Sequence, residues 1–97
     1  MRIGIVHDKD REEAKRRIEQ LVASLASRYG GYVRELKQEW TGDTLHFEFT
    51  ARGARARGTV EVTDSEAIVD GRLPLLARPF EGRIRSLIER EGARLFT

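Results

Sequence analysis

Residues 40–49 read Trp-Thr-Gly-Asp-Thr-Leu-His-Phe-Glu-Phe, and this stretch decides the fold because it predicts a β-hairpin. From residue 45 onward apolar and polar side chains alternate, which is the period of a strand buried on one face. The apolar set is Leu45, Phe47 and Phe49, and the polar set is His46, Glu48 and Thr50. Gly42-Asp43 supplies the turn, because glycine adopts positive φ and aspartate bonds nearby backbone N–H groups. The hairpin therefore sets the register of an antiparallel sheet, and it carries no catalytic chemistry.

Further strands are predicted on both sides of this hairpin. The predicted strands are residues 2–6, 32–40, 44–51, 59–63 and 66–73. The glycine-bounded segment from Arg52 to Gly58 is predicted to be a turn or a bulged segment, and Pro74 closes the last strand. The buried side of residues 66–73 stays open, because the apolar residues Ile68 and Val69 are adjacent and break the alternation.

Two helices are predicted from apolar residues that recur every 3.6 positions. The first begins after Asp10, which is an N-cap candidate with Glu13 three residues later, and ends at Gly30-Gly31. The second begins with Pro79 in its first turn, and we expect its end to fray because Gly92 costs about 1 kcal/mol relative to alanine. The order β-α-β-β-β-β-α predicts an α+β fold, with an antiparallel sheet and both helices packed on one face.

Composition limits the class of protein. The 97 residues predict one domain over 1–97, and 18 basic residues nearly balance 16 acidic ones. Cysteine is absent, which excludes disulfides and thiolate metal sites and fits a reducing compartment. No apolar segment approaches the ~20 residues of a membrane span, so we expect a cytoplasmic protein.

The sequence predicts no catalytic, cofactor-binding or metal site. The serines lack the glycine-framed elbow of a nucleophile, and the two histidines, His7 and His46, would have to converge with a carboxylate to hold a metal. Asp70 is the one carboxylate that could face either side of the sheet, because Ile68 and Val69 break the alternation before it. We therefore expect the chain not to be an enzyme.

A first candidate binding feature is the group of arginines in the predicted turn. Arg52, Arg55 and Arg57 lie close enough in sequence to form a small contact patch for anions, such as nucleic acid or lipid headgroups. The alternative is a solvated hairpin edge whose charge opposes aggregation.

A second candidate feature is a group of aromatic residues. Its members are Trp40, Phe47, Phe49 and Phe80. These rings are expected to form the core between the sheet and the second helix. The functional alternative is an apolar groove beneath that helix, able to accept an acyl chain or an apolar surface.

Three segments in the second half of the chain form an ordered pattern. They are Trp40 with Gly42-Asp43-x-Leu45-x-Phe47, then Gly58-Thr59-Val60-Glu61-Val62, then Leu73-Pro74-Leu75-Leu76-Ala77-Arg78-Pro79-Phe80-x-Gly82-x-Ile84. This pattern resembles the small polyhydroxyalkanoic acid system proteins of bacteria. The first helix, which begins Glu13-Ala14-Lys15 and ends Tyr29-Gly30, is consistent with that family. The stretch 51–57 departs from it, because a shorter and more apolar link is expected there.

The resemblance implies a cytoplasmic bacterial protein connected with polyhydroxyalkanoate granules or their regulation. It brings no catalytic residue and no cofactor. The strand-rich middle closed by a C-terminal helix also resembles a reduced helix-grip fold, at the level of fold alone.

Three functional hypotheses follow. The leading one is a non-catalytic accessory protein of polyhydroxyalkanoate storage, whose partner is the granule surface or a granule protein. The second is a nucleic-acid or ribosome-binding module that uses the arginine patch; the near-balanced charge disfavours it. The third is a small carrier for apolar ligands, which needs a cavity and a buried polar group such as Asp70. Pairing of two copies through an exposed strand edge is a further open alternative.

Overall fold

The computed structural model describes residues 1–51, 53–72 and 75–96, without the side chains of residues 75–77. Its elements are β1 (Arg2–Val6), α1 (Arg11–Arg28), β2 (Val33–Thr41), β3 (Thr44–Ala51), β4 (Ala54–Val62), β5 (Glu66–Arg72), a 3-10 helix (Leu75–Phe80) and α2 (Glu81–Leu95). The predicted α+β class and element order are confirmed. The predicted strand end at Leu73 and the break at Pro74 lie outside the described residues.

The five strands form one antiparallel sheet in the order β1-β5-β4-β3-β2. Leu45 pairs with Trp40 across the hairpin, as its two-residue turn predicts, and with Val60 of β4 on the other side. The last strand, β5, pairs with the first strand, β1, and Ile3 lies opposite Val69. Strands β1 and β2 are the sheet edges, and they are where the pairing of two copies, the open alternative above, would take place.

Both helices pack on one face of the sheet, which we call the inner face. Its core is a cluster in which Leu45 is fully buried. The buried members are Ala14, Ile18, Leu45, Val60, Val62, Ala67 and Phe96. Helix α1 contributes Ala14 and Ile18, while α2 reaches the sheet where Gly92 meets Ile5. The prediction that both helices cover one face is confirmed, and the opposite, outer face carries the polar side chains.

The start of α1 follows its predicted cap. The Glu13 N–H donates to the Asp10 carboxylate at 2.8 Å, and the helix ends with Tyr29 as its C-cap. The Glu13 carboxylate accepts hydrogen bonds from Arg16 and, at 2.8 Å, from Arg17 Nε. Glu13 and Arg17 have the spacing of four residues that favours an ion pair on a helix.

Strand β4 begins earlier than predicted, so the predicted turn over residues 52–58 is wrong in extent. Gly53 has φ +81° and makes the tight turn, and the strand starts at Ala54. The small residues at 54, 56 and 58 face inward and the arginines between them face outward. The inward-facing positions are occupied by alanine and glycine rather than by large apolar residues. The alternation is therefore weak, and the start of the strand was not predicted.

Strand β2 contains an irregularity that no sequence pattern indicated. Its pairing with β3 shifts between Arg34 and Lys37, and Glu35 has φ +56°. This is a β-bulge, in which the bulged residue takes a left-handed conformation. A bulge and charged side chains on an edge strand both oppose pairing with another chain.

The second helix differs from its prediction at both ends. Pro79 lies in the 3-10 helix rather than in the first turn of α2, which begins at Glu81. Gly92 is buried against Ile5 and the helix continues to Leu95, so glycine allows a close helix–sheet approach at this position.

An ion-pair network joins the start of α1 to two turns of the sheet. Arg11 Nη1 lies 2.6 Å from Asp43 Oδ2, and Arg11 Nε lies 2.6 Å from Asp64 Oδ1. Lys15 donates to the Gly42 carbonyl at 3.0 Å and lies 4.9 Å from the centre of the Trp40 ring. The network ties the β2–β3 and β4–β5 turns to one helix end.

This network makes stability depend on acid pH. Hydrogen bonds from Arg11 hold the pKa of Asp43 and of Asp64 below its usual range. Because the folded pKa lies below the unfolded value of about 4, the network stabilises fully above that pH, and the stabilisation is lost as pH falls below it. We expect Arg11→Gln to flatten the fall of the urea midpoint between about pH 5 and about pH 2. Arg34→Gln, an exposed arginine outside the network, serves as the control and should leave the slope unchanged; equal slopes for all three proteins would contradict the account.

Candidate functional site

The four predicted aromatic residues do not form one cluster. Trp40 and Phe47 are half-buried against the core, and the Phe47 ring stacks on Phe49 with centroids 6.4 Å apart. Phe80 is 53 % exposed and, in the part of the chain that the structure describes, makes no ring contact with the other three. Trp40 and Phe47 therefore serve the core, whereas Phe80 is a surface residue.

Phe47 has a specific structural task. Its ring lies over Gly58 on the neighbouring strand, so that a methyl group at Gly58 would lie 2.8 Å from Phe47 Cζ. Gly71 follows Gly58 in the same row of the sheet. An aromatic ring that covers a glycine in a neighbouring strand fills the space that the missing side chain leaves.

The three predicted arginines do not form one patch in the described residues. Arg55 and Arg57 lie on the outer face of β4, and Arg52 lies outside the described residues. Arg55 pairs with Glu48 at 3.5 Å, whereas Arg57 lies directly opposite Arg72 of β5. The nucleic-acid hypothesis gains no continuous basic surface from this arrangement, because carboxylates alternate with the arginines on the same face.

The outer face holds an open groove of about 560 Å³ across β2, β3, β4 and β5. Its charged side chains are Lys37, Glu39, Glu48, Arg57, Asp70 and Arg72, and His46 and Thr59 lie between them. The register aligns these residues in two rows across the strands, because partners in neighbouring strands point to the same face. Asp70 is exposed and lies 3.5 Å from Arg2, so it is not the buried polar group that the carrier hypothesis requires.

The two histidines lie in different places. His46 is exposed on the outer face, and His7 is 6 % exposed at the end of β1. His7 Nδ1 accepts a hydrogen bond from the Lys9 N–H at 3.1 Å, which leaves Nε2–H to donate to the Thr63 carbonyl at 2.9 Å. The ring also packs against Phe96, with centroids 5.2 Å apart. His7 therefore joins β1, the β4–β5 turn and the end of α2.

We expect His7→Leu to lower the free energy of unfolding by about 1–2 kcal/mol, because the Thr63 carbonyl and the Lys9 N–H lose their partner. The same substitution at exposed His46 should change it by less than about 0.5 kcal/mol. Urea unfolding of both variants checks the difference. Equal effects would mean that the His7 hydrogen bonds contribute nothing to stability.

Three exposed aromatic rings lie toward one end of the molecule, and we call Tyr29, Tyr32 and Phe80 the aromatic end. Their exposed fractions are 40 %, 51 % and 53 %. Helix α2 runs opposite to α1, because Leu95 lies near Arg17 and Glu91 near Arg28. The start of α2 therefore lies toward the end of α1, where the two tyrosines flank the Gly30-Gly31 turn.

Sequence reasoning missed this surface because Tyr29 fitted the apolar period of α1. The signal that could have found it is the pair of tyrosines flanking a double glycine, since turns lie on the surface. A shallow groove on α2 begins at Pro79, the chain neighbour of Phe80, and is lined by Gly82 and Leu87 and bordered by Arg83 and Arg90. This end offers apolar rings for contact, together with hydrogen-bond donors from the tyrosine hydroxyl groups and the two guanidinium groups.

A family model described as "Putative polyhydroxyalkanoic acid system protein" matches residues 1–95, which confirms the resemblance predicted from the sequence. No curated protein and no solved structure matches the chain, so the helix-grip likeness stays an analogy of layout. Among the described residues, neither helix is long and apolar enough to cross a membrane.

Proposed function

We propose that this chain, which belongs to the polyhydroxyalkanoic acid system family, is a non-catalytic accessory protein of polyhydroxyalkanoate storage that docks on the polymer granule in the cytoplasm. The aromatic end is the docking surface. The observation that carries the proposal is the exposure of three aromatic rings toward one end of a chain whose family is named for this polymer.

The chemistry of the polymer supports this choice of surface. A polyester presents alkyl groups and ester carbonyls, which accept hydrogen bonds and do not donate them. Tyrosine matches both properties, since its ring buries against apolar material and its hydroxyl donates to a carbonyl. Phe80 adds apolar area at the same end, and exposed apolar patches on soluble proteins commonly mark interaction sites.

The arginines beside the aromatic end fit the same partner. Arg83 and Arg90 border the shallow groove that begins at Pro79, and both are exposed. A guanidinium offers several N–H donors and packs its stem along apolar surface. A surface of aromatic rings with guanidinium donors therefore suits an ester-rich apolar layer better than a charged one.

A fluorescent fusion in cells filled with polymer granules tests the proposal. We expect the wild-type fusion to concentrate at the granules and the triple variant Tyr29→Ser/Tyr32→Ser/Phe80→Ser to become diffuse. The three side chains are substantially exposed, so their loss should leave the fold intact.

Val6→Ser is the matched control. Val6 is 75 % exposed on β1, close in the chain to the start of α1 and so toward the other end of the molecule. Its substitution also removes an exposed apolar side chain, and granule association should persist. A wild-type fusion that stays diffuse would contradict granule docking, and an equal loss in the control would contradict the assignment to the aromatic end.

A further inference from the structure

The groove on the outer face is the strongest feature that the proposed function leaves unused. It crosses four strands on the side of the sheet opposite both helices, and its volume of about 560 Å³ is in the range of small-molecule sites. One row across the groove contains Lys37, Glu48, Arg57 and Arg72, and the next contains Glu39, His46, Thr59 and Asp70.

The first row contains two arginines side by side. Arg57 and Arg72 are direct partners across β4 and β5, an arrangement that is unfavourable for like charges. Within the residues that the structure describes, neither guanidinium has an ion-pair partner. The nearby carboxylates are engaged elsewhere, Glu48 by Arg55 and Asp70 by Arg2. An anion between Arg57 and Arg72 would turn the repulsion into two charge-assisted interactions.

The rest of the groove restricts the charge of that anion. Three basic side chains, Lys37, Arg57 and Arg72, are balanced by the three acidic ones, Glu39, Glu48 and Asp70. A multiply charged phosphate would meet this acidic set at close range, whereas a single carboxylate engages the arginine pair with less repulsion. A planar carboxylate also matches the fork of a guanidinium.

The second row supplies partners for a hydroxyl group. His46 of β3 and Thr59 of β4 lie directly opposite each other, and Thr59 is two residues along β4 from Arg57. Both groups donate and accept hydrogen bonds. The first row therefore offers N–H donors to an anion, and the second row offers hydrogen-bond partners to a hydroxyl group.

We infer that this groove binds a free hydroxycarboxylate, with its carboxylate between Arg57 and Arg72 and its hydroxyl group near His46 and Thr59. The choice of a hydroxyalkanoate, the monomer of the polymer, rests on the proposed function. The groove and the aromatic end lie on different surfaces, so monomer binding and granule docking are separate properties of the chain.

Titration with 3-hydroxybutyrate, followed by NMR of backbone and arginine side-chain N–H groups, tests the inference. We expect saturable shifts at Arg57, Arg72 and His46. Arg57→Gln and Arg72→Gln should each weaken binding about tenfold or more, because each removes a charge-assisted interaction. Arg34→Gln makes the same charge change on the same face outside the groove, and it should bind like the wild type.

Comparison ligands separate this site from general anion binding. Butyrate, which lacks the hydroxyl, should bind more weakly, and inorganic phosphate should not exceed 3-hydroxybutyrate. Stronger binding of phosphate, equal weakening by Arg34→Gln, or no shift at about 50 mM ligand would overturn the inference.

A final arm separates failure of this inference from failure of granule docking. Arg57→Gln and Arg72→Gln should bind polymer particles like the wild type, because they leave the aromatic end intact. Loss of particle binding in these variants would overturn the assignment of the groove to the free monomer. Granule docking itself is tested by the aromatic variants.

Discussion

Replacement of Gly58 by alanine is expected to lower the free energy of unfolding by about 3 kcal/mol or more. Gly58 lies in the centre of β4, and an added methyl group would lie 2.7 Å from the Asp70 carbonyl oxygen and 3.0 Å from Gly71 Cα. Both are backbone atoms of β5, so the clash can be relieved only if the two strands separate. The Phe47 ring, 2.8 Å from the same methyl group, would also be displaced.

Gly71→Ala is the matched control, because Gly71 is the direct partner of Gly58 across the two strands. A methyl group there would meet only the Arg57 carbonyl oxygen, at the ordinary distance of 3.9 Å. We expect a change below about 1 kcal/mol in urea unfolding. If Gly58→Ala does not fold, Gly71→Ala should still fold. Gly58→Ala with wild-type stability would contradict the close packing of β4 against β5.

The same substitution is expected to have opposite signs at two positions of α2. Gly92→Ala should lower the free energy of unfolding by about 2 kcal/mol, because the new methyl group would clash with Cδ1 of Ile5 and lie 3.0 Å from its Cγ1. Gly82→Ala adds a methyl group to open space and should raise stability by up to about 1 kcal/mol. Thermal or urea unfolding of the two variants gives the comparison.

A second-site change identifies the cause at Gly92. Ile5→Val removes the Cδ1 atom that meets the new methyl group, so Ile5→Val/Gly92→Ala should be more stable than the sum of the two single effects. Additive effects in the double variant would place the cost elsewhere in the helix. A stabilising Gly92→Ala would show that α2 leaves room for a methyl group beside Ile5 of β1.

The sequence allowed most of the fold to be predicted where side chains of contrasting size alternate. Leu45, Phe47 and Phe49 set the hairpin register because each large apolar side chain has one favourable side of the sheet. The start of β4 was missed because alanine and glycine occupy its inner positions, and small residues give a weak alternation signal. The bulge at Glu35 had no signal, since a glutamate at positive φ is set by pairing with β3 rather than by its own preference.

The candidate surfaces were harder to predict than the fold. The predicted aromatic set mixed Phe47, which covers a glycine, with Phe80, which lies on the surface. The Arg57–Arg72 pair could not be found, because it depends on cross-strand register between β4 and β5. The sequence neighbours Arg55 and Arg57 were grouped instead, although Arg55 pairs with Glu48 and Arg57 has no ion-pair partner among the described residues.

Stability and the proposed binding functions depend on different parts of the chain. Gly58, Gly92 and His7 hold the sheet, helices and turns together. We propose that the aromatic end and the outer groove interact with other molecules. Variants of the first group should therefore change stability, whereas variants of the two surfaces should change binding with the fold intact.

Co-sedimentation of the purified chain with polyhydroxyalkanoate particles tests the central claim most directly. We expect the wild type and Val6→Ser to sediment with the particles and Tyr29→Ser/Tyr32→Ser/Phe80→Ser to remain in the supernatant, while all three proteins unfold at similar urea concentrations. A folded wild-type chain that stays in the supernatant, or a triple variant that sediments like the wild type, would contradict docking through the aromatic end.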